Sequence, residues 1–263
     1  MSTTTTAGFH FDEKTAQQLS MIYQTDDIKE MQRVFRIWFD PQPGEKILDV
    51  GCGTGINVVA LSKLVGPEGK IVGIDNSEAM LTVARAKGGG SNIEYQLKAV
   101  EDMDFPAESF DGVICTQVLG YLADPVRAIR ESLRVVKPGG RVFISEADWD
   151  SLAYNIPDKD LQRKVTHSFS DHHGDGWIGR RVYSLCLQAG APNIELHPYV
   201  IHNYEYSARR YGGPLSYVIM DYLRRTKKCT EEEVQRWLKQ LSDAFDDHTY
   251  FFSLNRTVCI LHK

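Results

Sequence analysis

Apolar positions change rhythm along this chain, and the change marks its organisation. From Phe11 to about Trp38, Leu19, Ile22, Ile28, Met31, Phe35 and Trp38 recur at three to six residues, a helical spacing broken near Thr25-Asp26-Asp27. Asp26 or Asp27 is expected to cap the second helix. After Pro41 and Pro43-Gly44 the pattern becomes short apolar runs alternating with helical ones. Lys46–Val50, Lys70–Ile74, Ile93–Leu97, Phe110–Cys115 and Arg141–Ser145 read as strands, and Asn57–Leu64, Ser77–Ala86 and Asp124–Val136 as helices. Strand and helix in this alternation imply right-handed βαβ units, hence a parallel sheet covered on both faces. From 147 to 177 no clean periodicity survives. Beyond it the pattern predicts a helix over Gly179–Ala189, strands over Asn193–Tyr204 and Tyr250–Leu261, and helices over Leu215–Arg225 and Thr230–Phe245. Thr230 with Glu233 forms a capping box at the start of that last helix.

Composition narrows the function classes. The 263 residues carry 30 Lys and Arg against 35 Asp and Glu, a formal charge of −5. A duplex-binding surface needs an excess of cations, so nucleic acid is not the expected partner. The five cysteines are scattered, odd in number and never form C-x-x-C, which argues against a disulfide framework or a cysteine-built zinc site. Met1-Ser-Thr-Thr-Thr-Thr-Ala lacks the pattern of a signal peptide, and no apolar run approaches the ~20 residues of a membrane span. A cytoplasmic protein without membrane insertion, monomeric or homodimeric, is the expectation.

The chemistry concentrates after the first strand. Gly51, Gly53 and Gly55 leave its carboxyl end, where open parallel sheets bind ligands and where glycine lets backbone approach a ligand closely. Asp75 ends the second strand, 20 residues after Gly55, where a carboxylate can accept hydrogen bonds from a ribose diol. The dinucleotide fingerprint is G-x-G-x-x-G/A; here the third glycine arrives one residue early and Ile56 follows. That spacing argues against a nicotinamide-dependent oxidoreductase.

The ordered set Asp49-x-Gly51-x-Gly53-x-Gly55, Asp75, Glu101-Asp102-Met103 and Gln117-Val118-Leu119, each following a strand, resembles the class I S-adenosylmethionine-dependent methyltransferases over about residues 41–146. Tyr23-x-Thr25, Trp177-Ile-Gly-Arg-Arg181 and Phe252-Ser-Leu-Asn255 look like the small-molecule branch near the ubiquinone/menaquinone-type group. The resemblance implies an α/β fold, a Rossmann-like three-layer αβα sandwich. Its sheet would be seven-stranded and mostly parallel, with an antiparallel last strand and helical lid additions. It implies one domain over 1–263, with a lid at 1–40, a cofactor-binding core at 41–146, and the rest of the sheet with acceptor-site insertions at 147–263. It also implies S-adenosyl-L-methionine as cofactor and a small-molecule methyl acceptor. Asp49 and the loop Gly51, Cys52, Gly53, Thr54, Gly55 would hold the methionine part, and Asp75 the ribose, with Asn76 and Met80 beside the adenine. Asp102 would accept from the adenine amino group and Met103 would pack on the ring, with Glu101 also among the cofactor-binding residues. Gln117, Val118 and Leu119 would floor the sulfonium. Tyr23 would reach the site from the N-terminal helices, and Tyr121 would face the transferred methyl.

Methyl transfer needs alignment and water exclusion more than a fixed catalytic residue. A base is required only for a hydroxyl, C–H or protonated-amine acceptor. Asp148, directly after the fifth strand, and His167 are the candidate bases. His167, His172 and His173 with Asp171 and Asp175 read as a hydrophilic loop rather than a metal site. Arg181 is a minority candidate for an anionic substrate, Arg33 for the cofactor carboxylate or the acceptor, and Cys52 reads as a small half-buried residue rather than a reactive thiol. A non-catalytic cofactor-binding protein stays open as an alternative.

Overall fold

A computed structural model of the chain describes residues 19–172 and 174–263; residues 1–18 and His173, part of the lid and of the histidine stretch, lie outside them. The elements in chain order are α1 (Asp26–Phe39), β1 (Lys46–Val50), α2 (Ile56–Val65), β2 (Lys70–Asp75), α3 (Glu78–Ala86), β3 (Ile93–Leu97), β4 (Phe110–Thr116), α4 (Pro125–Val135), β5 (Val136–Ala147), β6 (Ala153–Tyr154), α5 (Lys159–Ser170), α6 (Ile178–Gln188), β7 (Ile194–Asn203), α7 (Gly212–Thr226), α8 (Glu231–Asp246) and β8 (Phe252–His262). They build one sheet in the order β3-β2-β1-β4-β5-β8, with β7 along the other side of β8 and the two-residue β6 paired to β8 beyond the end of β5. The first five strands run parallel, and β8 runs antiparallel to both β5 and β7. This is the expected sandwich, with β6 added as an eighth, very short strand.

Alternation along the strands gives the sheet two buried faces. Ile47, Ile71, Ile114 and Phe143 pack with Met31, Phe35 and Phe39 of α1 and Leu61 of α2, and that cluster continues into α5, α7 and α8. Leu48, Val72, Val113 and Val142 face the other way, onto Ile129 of α4 and Val182 of α6. Arg141 pins the entry to the sheet: its guanidinium pairs with Glu45 at 2.7 and 2.8 Å, donates to the Phe39 carbonyl, and lies 4.5 Å over the Phe39 ring.

Two expectations change. The stretch without periodicity holds α5, capped by Asp158, which accepts the Leu161 N–H at 3.0 Å. Its buried side chains Leu161, Val165 and Phe169 lie four apart, but three apolar positions among polar ones make a faint stripe. At the N-terminal side Thr25, not an aspartate, is the N-cap of α1. Asp27 instead accepts from Tyr211 N at 2.7 Å and Asn203 Nδ2 at 2.9 Å and pairs with Arg210, tying α1 to the start of α7. The N-terminal helix thereby closes over the same end of the sheet as the C-terminal additions.

Candidate functional site

The carboxyl end of β1 is built for close approach. Gly51, Gly53 and Gly55 all have positive φ, +65°, +52° and +75°. A Cβ at Gly51 would sit 2.4 Å from Val118 Cγ2, and one at Gly55 2.4 Å from the Tyr95 hydroxyl, whereas the Gly53 position meets nothing within 4 Å. The turn is closed by Cys52 N–H to Ile74 O and Gly55 N–H to Cys52 O, each 2.9 Å. From outside, Lys87 Nζ donates to the Thr54 carbonyl and hydroxyl, both at 2.8 Å.

Two carboxylates back this turn. Asp75 accepts Gly53 N–H and Ser77 N–H, both at 2.9 Å, yet burial holds its pKa above the ordinary range. Asp49 is 2% exposed and its Oδ2 has no hydrogen-bond partner among the described residues. Burial, and then the charge of Asp75, push its pKa well up. A pair of desolvated acids behind an open glycine turn is stabilised by a ligand that brings positive charge and hydroxyl donors.

The facing wall comes from β4 and β5. Gln117 adopts φ +59°, a left-handed conformation that costs a non-glycine residue ~1–2 kcal/mol. Its backbone N–H donates to Ser145 O, its Oε1 accepts from Ala147 N, and its Nε2 reaches Glu146 at 3.4 Å. Glu146, fully buried, accepts the Val118 and Leu119 N–H groups at 2.8 and 2.7 Å. Burial nevertheless pushes its carboxyl up to about 7.

Turn and wall open on one cavity of about 210 Å³. Beyond the glycine turn it is lined by Tyr121, Trp149, Phe169, His172 and Tyr211, with Tyr23 at its side. His172 stacks on Phe169 with ring centroids 4.0 Å apart, and its Nδ1 lies 2.6 Å from the Phe169 carbonyl. Only a protonated Nδ1 can donate there, and burial pushes the imidazolium down to about 3, so the ring is neutral. Burial also raises the phenols of Tyr23, Tyr121 and Tyr211, which keeps them protonated and able to donate.

The comparisons meet this geometry at the same residues. A family model described as a methyltransferase domain matches residues 48–144, from β1 to within β5. Over those residues the chain is similar to the methyltransferase domain family. A 37.1 kDa protein in transposon TN4556 of Streptomyces fradiae is 34% identical over 189 residues, 70% of this chain and 55% of that protein. A demethylmenaquinone methyltransferase of Symbiobacterium thermophilum is 41% identical over 110 residues, 40% of this chain and 44% of its own. The chain spans about half the length of the curated relatives it matches. Among solved structures, the phosphoethanolamine N-methyltransferase 2 of Haemonchus contortus in complex with S-adenosyl-L-methionine superposes with a TM-score of 0.61 at 16% identity, over 98% of this chain and 61% of that one. A SAM dependent methyltransferase from Aquifex aeolicus gives 0.53 at 19%, over 94% and 99%. These likenesses are of fold.

Of the residues expected at the cofactor, Tyr23, Gly51, Cys52, Gly53, Thr54, Asp75, Asn76, Met80, Gln117 and Val118 line the cavity, as does Tyr121, and Asp49 lies buried behind it. Gly55 shapes the turn from outside the lining. Leu119 and Met103 are core residues, Asp102 is exposed and Glu101 half-buried; Val100 presents the cavity surface in their stead. Cys52 is buried, which raises its thiol and leaves it unreactive.

Neither expected base reaches the cavity. Asp148 is held by Arg180 in a two-pronged ion pair at 2.7 and 2.8 Å. His167 is on α5, not in a loop, with its side chain 71% exposed and 3.2 Å from Asp150. The helix turns His167 to solvent because Leu161, Val165 and Phe169 take its inner face. Arg181 pairs with Asp175 and Arg33 with Glu30, and neither lines the cavity. His172 and Arg256 do line it; for Arg256, deep in the last strand, no local motif announced a role.

Proposed function

We propose that this chain transfers a methyl group from S-adenosyl-L-methionine to a small-molecule acceptor held in the cavity. The observation that carries the reading is the junction of an open, positive-φ glycine turn, backed by Asp49 and Asp75, with an aromatic cavity of about 210 Å³. The residues present fit the cofactor: Gly51–Gly55 give a backbone cradle, Asp75 suits a ribose diol, and the desolvated Asp49 suits an ammonium or sulfonium charge. Asn76, Met80 and Val100 offer the surface for an adenine. When bound, the cofactor supplies an electrophilic methyl on a good leaving group.

The chain's own part is to position and to dry. Gln117 and Val118, held by Glu146 and the Ser145 carbonyl, set a rigid floor between turn and acceptor space. Trp149, Phe169 and Tyr211 exclude water and offer aromatic faces toward a cation. Tyr23 and Tyr121 donate hydrogen bonds from neutral phenols. The helix α1 serves as the lid, held against α7 by Asp27.

Isothermal titration with S-adenosylhomocysteine tests the reading. One-site binding is expected, with no binding of NADH. A folded protein that binds neither S-adenosylhomocysteine nor S-adenosylmethionine refutes it. Incubation with metabolite extracts and S-adenosylmethionine, read by mass spectrometry, is expected to give a product heavier by one methyl group. Tight cofactor binding with no methylated product from any extract would favour a binding protein instead.

A further inference from the structure

Among the described residues, Arg256 is a buried cation without an ion-pair partner. It is 5% exposed and lines the cavity. Its Nε donates to Ser145 Oγ at 3.2 Å and its Nη2 to the Ser145 carbonyl at 3.3 Å, both long for a charged donor. Among the described residues Nη1 has no acceptor, and no carboxylate lies within 4.0 Å of the guanidinium. Glu146 is felt only at longer range, and its Oε1 is taken by the Val118 and Leu119 N–H groups. The other groups around it are the neutral phenols of Tyr23, Tyr199 and Tyr211. Isolated charges are rarely left so in a protein interior unless a ligand completes them.

Its place in the sheet separates it from the glycine turn. Arg256 lies on β8, opposite Ala147 of β5 and Tyr199 of β7. Between β8 and β1 stand β5 and β4, so the backbone carrying Arg256 is three strand spacings, ~14 Å, from the strand that feeds the turn. The cavity is therefore polar in opposite senses at its two ends: acids at β1 and β2, a guanidinium at β8. Tyr23, whose phenol senses both Arg256 and Asp75, sits between them.

We propose that Arg256 is the receptor for an anionic group of the methyl acceptor, which would be a small molecule with an aromatic or aliphatic body and a carboxylate or similar oxyanion. This rests on the methyltransferase reading above. The planar guanidinium receives a carboxylate through two parallel N–H donors, while Tyr23 and Tyr211 complete the anion's shell. The apolar body lies against Trp149 and Phe169.

The test uses the full chain saturated with S-adenosylhomocysteine, titrated with ω-phenylalkanoates from phenylacetate to 6-phenylhexanoate and with the matching primary amides. At least one carboxylate is expected to bind about tenfold or more tighter than its amide. Arg256→Met is expected to erase that preference and Arg256→Lys to keep part of it, with S-adenosylhomocysteine affinity changed by less than about threefold in both. A native protein that prefers no carboxylate in the series overturns the proposal. So does a preference that survives in Arg256→Met, or a loss of S-adenosylhomocysteine affinity in both variants, which would assign the guanidinium to the cofactor's own carboxylate. Failure of the native protein to bind S-adenosylhomocysteine refutes the methyltransferase reading itself, before any carboxylate is added. The native carboxylate-to-amide ratio decides the matter even where a variant fails to fold.

Discussion

Glu146→Gln isolates the cost of the buried acid beneath the site. Burial pushes its carboxyl up from 4.5 to about 7, outweighing the two backbone N–H groups it accepts. A carboxyl raised on folding stabilises the folded state while protonated, below about pH 4.5, and loses that contribution as pH rises through about 7. At 1.36 kcal/mol per pKa unit the full loss is about 3 kcal/mol, of which about 2 kcal/mol falls between about pH 5.5 and pH 8.5. Glutamine keeps an oxygen for Val118 and Leu119 N–H at nearly the same place but cannot ionise. Urea unfolding across that pH range is therefore expected to show the variant gaining about 2 kcal/mol on the native protein as pH rises. The comparison is between variant and native at each pH, so other titrating groups common to both cancel. A variant-minus-native difference that stays constant with pH would refute the account of Glu146 as a desolvated acid held by the floor of the cavity.

His172 acts in the opposite direction. Its imidazole is pushed from 6.5 down to about 3, so the folded state loses stability as pH falls through 6.5; between about pH 7 and pH 5 the loss is about 2 kcal/mol. His172→Phe, which keeps the stack on Phe169, is expected to remove that acid sensitivity in thermal melts, and an unchanged acid limb would contradict the neutral ring. At the glycine turn, Gly51→Ala combines φ +65° with a Cβ 2.4 Å from Val118 Cγ2. It should cost about 2–3 kcal/mol in chemical unfolding and weaken S-adenosylhomocysteine in titration; native-like stability and affinity together would show that the turn is not held as described.

Within the parallel half of the sheet, β1, β2 and β4 were legible because each is a short run that is apolar on both faces. Lys46–Val50 matches β1 to the residue, and the capping box at Thr230 and Glu233 opens α8 as read. The glycine turn and Asp75 were legible for the same local reason: positive φ and a carboxylate at a strand end leave their mark in adjacent residues. The region after β5 was not, because α5 has only three inward apolar residues and β6 only two residues in all. Asp148 and His167 were chosen for chemistry and nearness in sequence to a strand end. Their side chains are instead committed to Arg180 and to solvent, which only the packing of α5 and α6 decides. Likewise Met103, expected against the adenine, packs in the core, on an irregular segment where no strand alternation tells inward from outward positions.

A βαβ sheet with a glycine turn and an acid at the carboxyl ends of its first two strands can be read from near neighbours along the chain. The tertiary structure decided what stands across from them. Antiparallel β8 is inserted between β5 and β7, and that insertion sets Arg256 beside Ser145, 111 residues away. Asp27 reaches 184 residues to Tyr211 to close the N-terminal helix on α7. Partners so distant leave no periodicity, and the positive end of the cavity arises only when the sheet is assembled.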